Sequence, residues 1–224
     1  LNLASWFQTS AGASLRVAES RALAVESASL TGQVAVWASI LDVSEDWQTQ
    51  SGMRLNVWHG LGRTKLDSAF GTCVVGQMSS LPYATGAIDA LIIQHGLEEA
   101  PDMRALINEA ARVLRDGGRA IVLLLDPWGR VGARCLLAKI SRHPVLEPFA
   151  IECRLPLLST VMRVFRRNGL ICEQVSRIDS RHVKARLIVF RKQRMAVDLP
   201  AQHEDAREAS GLGLVPASRT SEAA

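Results

Sequence analysis

The sequence predicts an α/β fold: a mixed sheet with helices on both faces. Three observations carry that prediction. Short apolar runs rich in β-branched residues alternate with helical patterns as far as about residue 125, which implies parallel strands covered on both sides. Two further runs, 170–178 and 185–191, are separated only by a short turn, which predicts an antiparallel hairpin and makes the sheet mixed. The 224 residues suit one domain with a sizeable core.

The elements follow in order. Leu15, Ala18, Ala22, Val25 and Ser29 keep a three- and four-residue spacing, so residues 6–31 are expected as a helical arm stopped at Gly32. Strands are expected over 33–40, 53–60 and 72–76, with a helix or loop over 42–50 and one helical turn over 63–69. A fourth strand, 88–94, is apolar through Leu91, Ile92 and Ile93. Met103, Leu106, Ile107, Ala110, Val113 and Leu114 then form one apolar stripe, predicting a helix over 102–115. Asp116-Gly117-Gly118 stops it, and a fifth strand runs over 119–125. A helix over 129–142, a Pro-bearing loop over 143–151 and a helix over 156–168 ended by Gly169 lead into the hairpin. The domain division expected is an arm over 1–31, a core over 32–193 and a disordered tail over 194–224, rich in Ala, Ser, Glu, Gly and Pro.

Composition narrows the function classes. No apolar run reaches the length of a membrane span, and the opening LNLASWFQTS lacks the pattern of a secretory signal. The four cysteines, Cys73, Cys135, Cys153 and Cys172, form no CxxC pair. Reduced cysteines in a cytoplasm are expected, without a metal site or disulfide framework. The net charge of +4 is uneven: residues 119–194 carry 16 Lys and Arg against 5 Asp and Glu, a balance of +11 that leaves −7 elsewhere. A basic half of this kind suits an anionic partner or a solvated Arg-rich surface, and no nucleic-acid motif accompanies it.

The most informative block is 80–128. Its pieces are Leu81-Pro82-Tyr83, Ile88-Asp89, His95-Gly96-Leu97-Glu98, Pro101-Asp102, Glu109, Arg112-Val113-Leu114 and Gly117-Gly118. In that order and spacing they resemble the class I, S-adenosylmethionine-dependent methyltransferases, specifically the type 11 group. Trp6, Gly12, Glu19 and Asp126-Pro127-Trp128 loosely resemble a small branch of that group with a long N-terminal helix and a glycine-poor first strand. The resemblance implies a Rossmann-like, seven-stranded mixed sheet, with S-adenosylmethionine as a small-molecule cofactor across the carboxyl ends of the strands. It does not indicate a substrate. Glu109 and Arg112, three apart on one helix, are expected to pair as structural residues.

Carrying the family's cofactor positions onto this chain gives Trp37, Ala38 and Ser39 at the end of the first strand, where family members place a Gly-rich turn. No glycine stands there. Gly60-Leu61-Gly62 lies too close to Leu81 to replace it and is expected as a turn. His59 occupies the place of the ribose-binding carboxylate. Gln77 and Met78 occupy the adenine position, where the Gln77 carbonyl is a neutral acceptor. Gln94 and His95 end the fourth strand. His95 is the candidate for contact with substrate or cofactor, and for a general-base role. Asp126-Pro127-Trp128 resembles a loop of amino-group methyltransferases but follows the fifth strand rather than the fourth, so that chemistry is not transferred.

Two functions are therefore expected: an active methyltransferase, or a non-catalytic protein of the same fold with a partner on its basic half. A third, a dinucleotide-binding protein, lacks the Gly-x-Gly-x-x-Gly it would need.

Overall fold

In this computed structural model the structure describes residues 2–41, 54–59, 73–129, 132–133, 154–180 and 183–194. The expectations for 42–50, 60–69, 134–151 and 195–224 lie outside the described residues. Residues 1–194 form one compact unit, so the N-terminal helices belong to the same body as the sheet.

Seven strands are described: β1 (Val34–Ser39), β2 (Arg54–His59), β3 (Cys73–Val75), β4 (Ile88–Gln94), β5 (Leu114–Leu125), β6 (Leu170–Asp179) and β7 (Lys184–Lys192). Their order across the sheet is β3-β2-β1-β4-β5-β7-β6. The first five are mutually parallel, and β7 runs antiparallel to both β5 and β6. The central strands β1 and β4 and residues 120–125 of β5 are almost wholly buried. Their continuous apolar runs are what two covered faces require.

The helices among the described residues are α1 (Leu3–Trp6), α2 (Ser10–Ser27), α3 (Gly96–Glu99), α4 (Met103–Val113) and α5 (Leu158–Arg167). In α4, Leu106, Ile107, Ala110, Ala111 and Val113 are buried, and Asp102 Oδ1 accepts the Arg104 amide at 2.8 Å. This helix ends at Val113, two residues before the expected stop, because Leu114 already pairs with Ile88. Gly118 permits the tight return: a Cβ there would meet the Arg115 and Asp89 carbonyl oxygens at 2.9 Å. Glu109 and Arg112 do pair, at 2.7 Å. Together they also clamp Leu81, whose amide donates to Glu109 Oε1 and whose carbonyl accepts from Arg112.

The buried stripe of α2 differs from the expected one. It consists of Gly12, Leu15, Glu19, Leu23 and Ser27, while Val25 is exposed. The spacing is still helical, but the buried face holds a carboxylate and the exposed face a valine. Gly12 lets α1 fold back onto α2: a Cβ there would approach Phe7 Cα and the Trp6 carbonyl oxygen to 2.5 Å. Gly12→Ala is expected to cost about 1–3 kcal/mol through that overpacking, read as a fall in the urea midpoint with unchanged slope.

Where β1 begins, the Asp89 carboxylate accepts the amides of Gln33 at 2.7 Å and Val34 at 2.8 Å. Its other oxygen pairs with Arg115 at 2.6 Å. Gly32, at φ +135°, makes room for it, since a Cβ would lie 2.3 Å from Asp89 Cγ.

Candidate functional site at the carboxyl ends of β1 and β4

The strand order turns at β1 and β4: β2 and β3 lie on one side, β5 on the other. In open parallel sheets, ligands bind outside the carboxyl ends of the strands at such a point. Two different environments meet there.

The first is a buried polar network. Trp37 and Ser39 are two apart on β1 and so face the same side. Trp37 Nε1 and Ser39 Oγ both donate to Gln94 Oε1, at 3.2 and 3.1 Å. Gln94 Nε2 donates to Glu19 Oε2 of α2 at 3.2 Å. Next to it, His95 is fully buried and held from both sides. Nε2 lies 3.0 Å from Glu19 Oε1, and Nδ1 lies 3.1 Å from Glu98 Oε1. The Phe7 ring covers the imidazole at 4.6 Å between centroids.

Two carboxylates on two ring nitrogens fix the protonation state. Burial alone would lower the pKa of His95. The charges of Glu19 and Glu98, and the hydrogen bonds to them, overcome this and raise it to about 10. At neutral pH the group is an imidazolium donating from both nitrogens, so it has no lone pair with which to act as a base. His95 also sits in the left-handed region, φ 56° and ψ 13°, and is the only non-glycine residue with positive φ among the described residues. Glu98 Oε1 additionally accepts the Leu125 amide at 2.7 Å, joining β5 to the network.

The second environment is an open cleft of about 370 Å³. Ile40, Met78, Ala100 and Leu106 give it apolar walls, and Gln77 and Glu99 supply polar groups. Gly96 on the same wall lies close under Met78, where a Cβ would meet the sulfur at 2.5 Å. Burial and the charge of Glu98 push the Glu99 carboxyl above its ordinary range, against the opposing pull of His95.

Of the residues singled out by sequence, the structure brings Gln77 and Met78 to the cleft. Trp37, Ser39, Gln94 and His95 lie in the buried network, and Ala38 is buried in β1. His59 ends β2 in line with Ser39, and its side chain lies outside the described residues. Asp126 is paired with Arg186 at 2.9 Å and caps the Trp128 amide, leaving Trp128 exposed. That loop is braced onto β7. Among the described residues, no group of three or more His, Cys, Asp or Glu is placed to hold a metal ion, and no helix is long and apolar enough to cross a membrane.

Comparison with known proteins fits this geometry. Residues 50–122 match a type 11 family model described as "Methyltransferase domain". Among solved structures, a SAM-dependent methyltransferase of Thermotoga maritima superposes with a TM-score of 0.58 at 16% identity, over 80% of this chain and 92% of that one. A geranyl diphosphate C-methyltransferase of Streptomyces coelicolor A3(2), solved with Mg2+, geranyl diphosphate and S-adenosyl-L-homocysteine, gives 0.56 at 14% identity, over 79% and 77%. The chain has the class I methyltransferase fold. Among curated relatives, the demethylmenaquinone methyltransferase of Mycolicibacterium vanbaalenii is 45% identical over 49 residues, 22% of each chain. The ubiquinone/menaquinone biosynthesis C-methyltransferase UbiE of Rhizobium johnstonii is 34% identical over 86 residues, 38% of this chain and 31% of that one. The chain thus matches about a fifth to a third of the length of these relatives.

Three carboxylates at this site, Glu19, Glu98 and Glu99, carry no local sequence signal of function. Glu98 belongs to the His95-Gly96-Leu97-Glu98 motif, Glu19 lies on the first long helix, and Glu99 stands outside every motif. Glu19 does carry a signal of burial: it stands between Leu15 and Leu23 at four-residue spacing, where a carboxylate on an apolar stripe needs a buried partner.

Proposed function

We propose that the chain is an S-adenosylmethionine-dependent methyltransferase and that the cleft beside Gln77 and Met78 is its cofactor site. The observation that carries this reading is the position of the cleft, at the strand ends where the sheet order turns. The residues there fit the cofactor. Ile40 and Met78 offer apolar surface to a flat purine, and the Gln77 carboxamide offers one acceptor and two donors to a purine edge. When bound, S-adenosylmethionine supplies a methyl group on a positively charged sulfur.

The chain's own residues position and enclose. The His95 imidazolium, clamped by Glu19 and Glu98, fixes the turn that leads from β4 into the cleft wall at Gly96. His95 is in this reading a positioning residue, consistent with a chemistry in which orientation does most of the work. Glu99 presents to the cleft a carboxyl that keeps its proton to a higher pH than an ordinary glutamate. The curated relatives are named for quinone substrates.

Isothermal calorimetry of the purified chain with S-adenosylmethionine and S-adenosylhomocysteine tests it. Binding in the micromolar range is expected. Gly96→Ala, whose added Cβ would crowd the Met78 sulfur on the cleft wall, is expected to weaken it about tenfold. An absence of binding at millimolar ligand would overturn the proposal. That result would favour a non-catalytic protein of the same fold, a reading supported by the commitment of Trp37 and Ser39 to Gln94 and by the lack of glycine at the end of β1.

A further inference from the structure

At the opposite end of the sheet from the cleft, arginines gather around the start of β5 and the end of β7. Arg119 on β5 and Arg191 on β7 are direct partners across the antiparallel pair. Like charges in that position repel, and sheets ordinarily avoid them. Here the pair is kept together by one carboxylate. Glu173 Oε2 lies 3.0 Å from Arg119 Nε, and Glu173 Oε1 lies 3.5 Å from Arg191 Nη1. Glu173 reaches both because the pairing of β6 with β7 shifts between Cys172 and Gln174. The residue skipped by that bulge is Glu173 itself, and a bulge re-aims the side chain it carries.

Two clefts of about 220 and 620 Å³ adjoin there, sharing Gly117 and Arg191. Their walls carry Arg115, Arg119, Arg191, Lys192 and Arg194 against Asp89 and Glu173. Not all five cations are available. Arg115 is committed to Asp89, and Lys192 is largely buried and donates to the Ala111 and Leu114 carbonyls. Arg119 also spends one nitrogen on Ser29. Arg191, more than half exposed and among the described residues held only by its longer contact to Glu173, and Arg194 in the same cleft supply the surplus charge. Guanidinium groups are built for two-pronged binding of phosphate oxygens. The single glutamate shared by two arginines occupies the place such an oxyanion would take.

We propose that the larger cleft, walled by Arg191 and Arg194 beside Arg119, binds a phosphate-bearing polyanion, and that the Glu173 carboxylate competes with it as an internal anion. The proposal is independent of the cofactor site and stands whether or not that site binds S-adenosylmethionine.

The test uses the full chain and two probes at low and physiological salt: inorganic tripolyphosphate followed by calorimetry, and a short labelled single-stranded RNA followed by fluorescence anisotropy. The double variant Arg191→Ala/Arg194→Ala is expected to weaken binding about tenfold or more, and Glu173→Gln to tighten it about threefold or more. Tripolyphosphate bound as tightly as RNA identifies a free phosphate ligand. RNA bound far more tightly, with a steep salt dependence, identifies a nucleic-acid backbone. Either result supports the site. The proposal is overturned if neither probe binds, if the arginine variant binds unchanged, or if Glu173→Gln fails to tighten binding. The last arm keeps the test decisive should the double variant fold poorly.

Discussion

His95→Asn is expected to lower the stability of the chain by about 3–5 kcal/mol, because it leaves two buried carboxylates without their shared cation. Asparagine is the informative replacement. It tolerates the left-handed backbone that His95 adopts, so the loss reports charge and hydrogen bonding rather than strain. The pH dependence separates this from ordinary core damage. The folded-state pKa of His95 is raised from 6.5 to about 10, so the native chain holds this proton more tightly than the unfolded one. The stabilisation is fully present below pH 6.5, shrinks as pH rises from there, and is lost once pH has passed through 10. Urea unfolding of the wild type and the variant across that interval is the measurement. The two stability curves should converge as pH rises. Curves that stay parallel would show that His95 is neutral when folded and that the two carboxylates are held by something else.

Phe190→Ala is expected to cost a similar amount, about 3–5 kcal/mol, by a different route. Phe190 on β7 and Phe165 on α5 are both essentially inaccessible, and their rings stack at 4.0 Å with an interplanar angle of 10°. Truncation removes a large apolar side chain and leaves a void under α5, where the stacked partner loses its contact. Since the two rings share one site, Phe165→Ala and Phe190→Ala should combine to less than the sum of their separate costs. The check is equilibrium unfolding of both single variants and the double variant. Additive losses would place the rings in separate packing environments. A loss below about 1 kcal/mol for Phe190→Ala would mean that the site collapses around the truncation.

Much of the fold was legible because it rests on local patterns. The run Leu91, Ile92, Ile93 reads as a buried strand, and it lies at the centre of the sheet. The stripe of α4 and the stop at Gly169 lay open to the same reasoning, as did the hairpin of β6 and β7. The site was much less legible. Glu19 lies 76 residues from His95, and nothing local to either shows that they meet. A carboxylate in a helix reads as solvent-facing until its partner is known, so the buried face of α2 was assigned one step away from where it lies. His95 was recognisable as special, but its role depends on two neighbours. One of them, Glu98, lies three residues on in the motif, and the other arrives from the start of the chain. Gln77 and Met78 do line the cleft, and their place near the strand ends follows from the alternation of strands and helices.

The Asp89 carboxylate at the entry to β1 bears on misfolding. A strand that slips by one residue presents every side chain to the wrong face. In β1 such a slip would turn Trp37 and Ser39 away from Gln94 and bring Ala38 in their place, and two buried donors would lose their acceptor. β1 is apolar on both faces, so hydrophobicity alone discriminates weakly between the correct alignment and its neighbours. Asp89 discriminates strongly, because its oxygen accepts from Gln33 and Val34 only when those amides arrive opposite it. One carboxylate at the mouth of the strand thereby rejects misaligned competitors along its whole length.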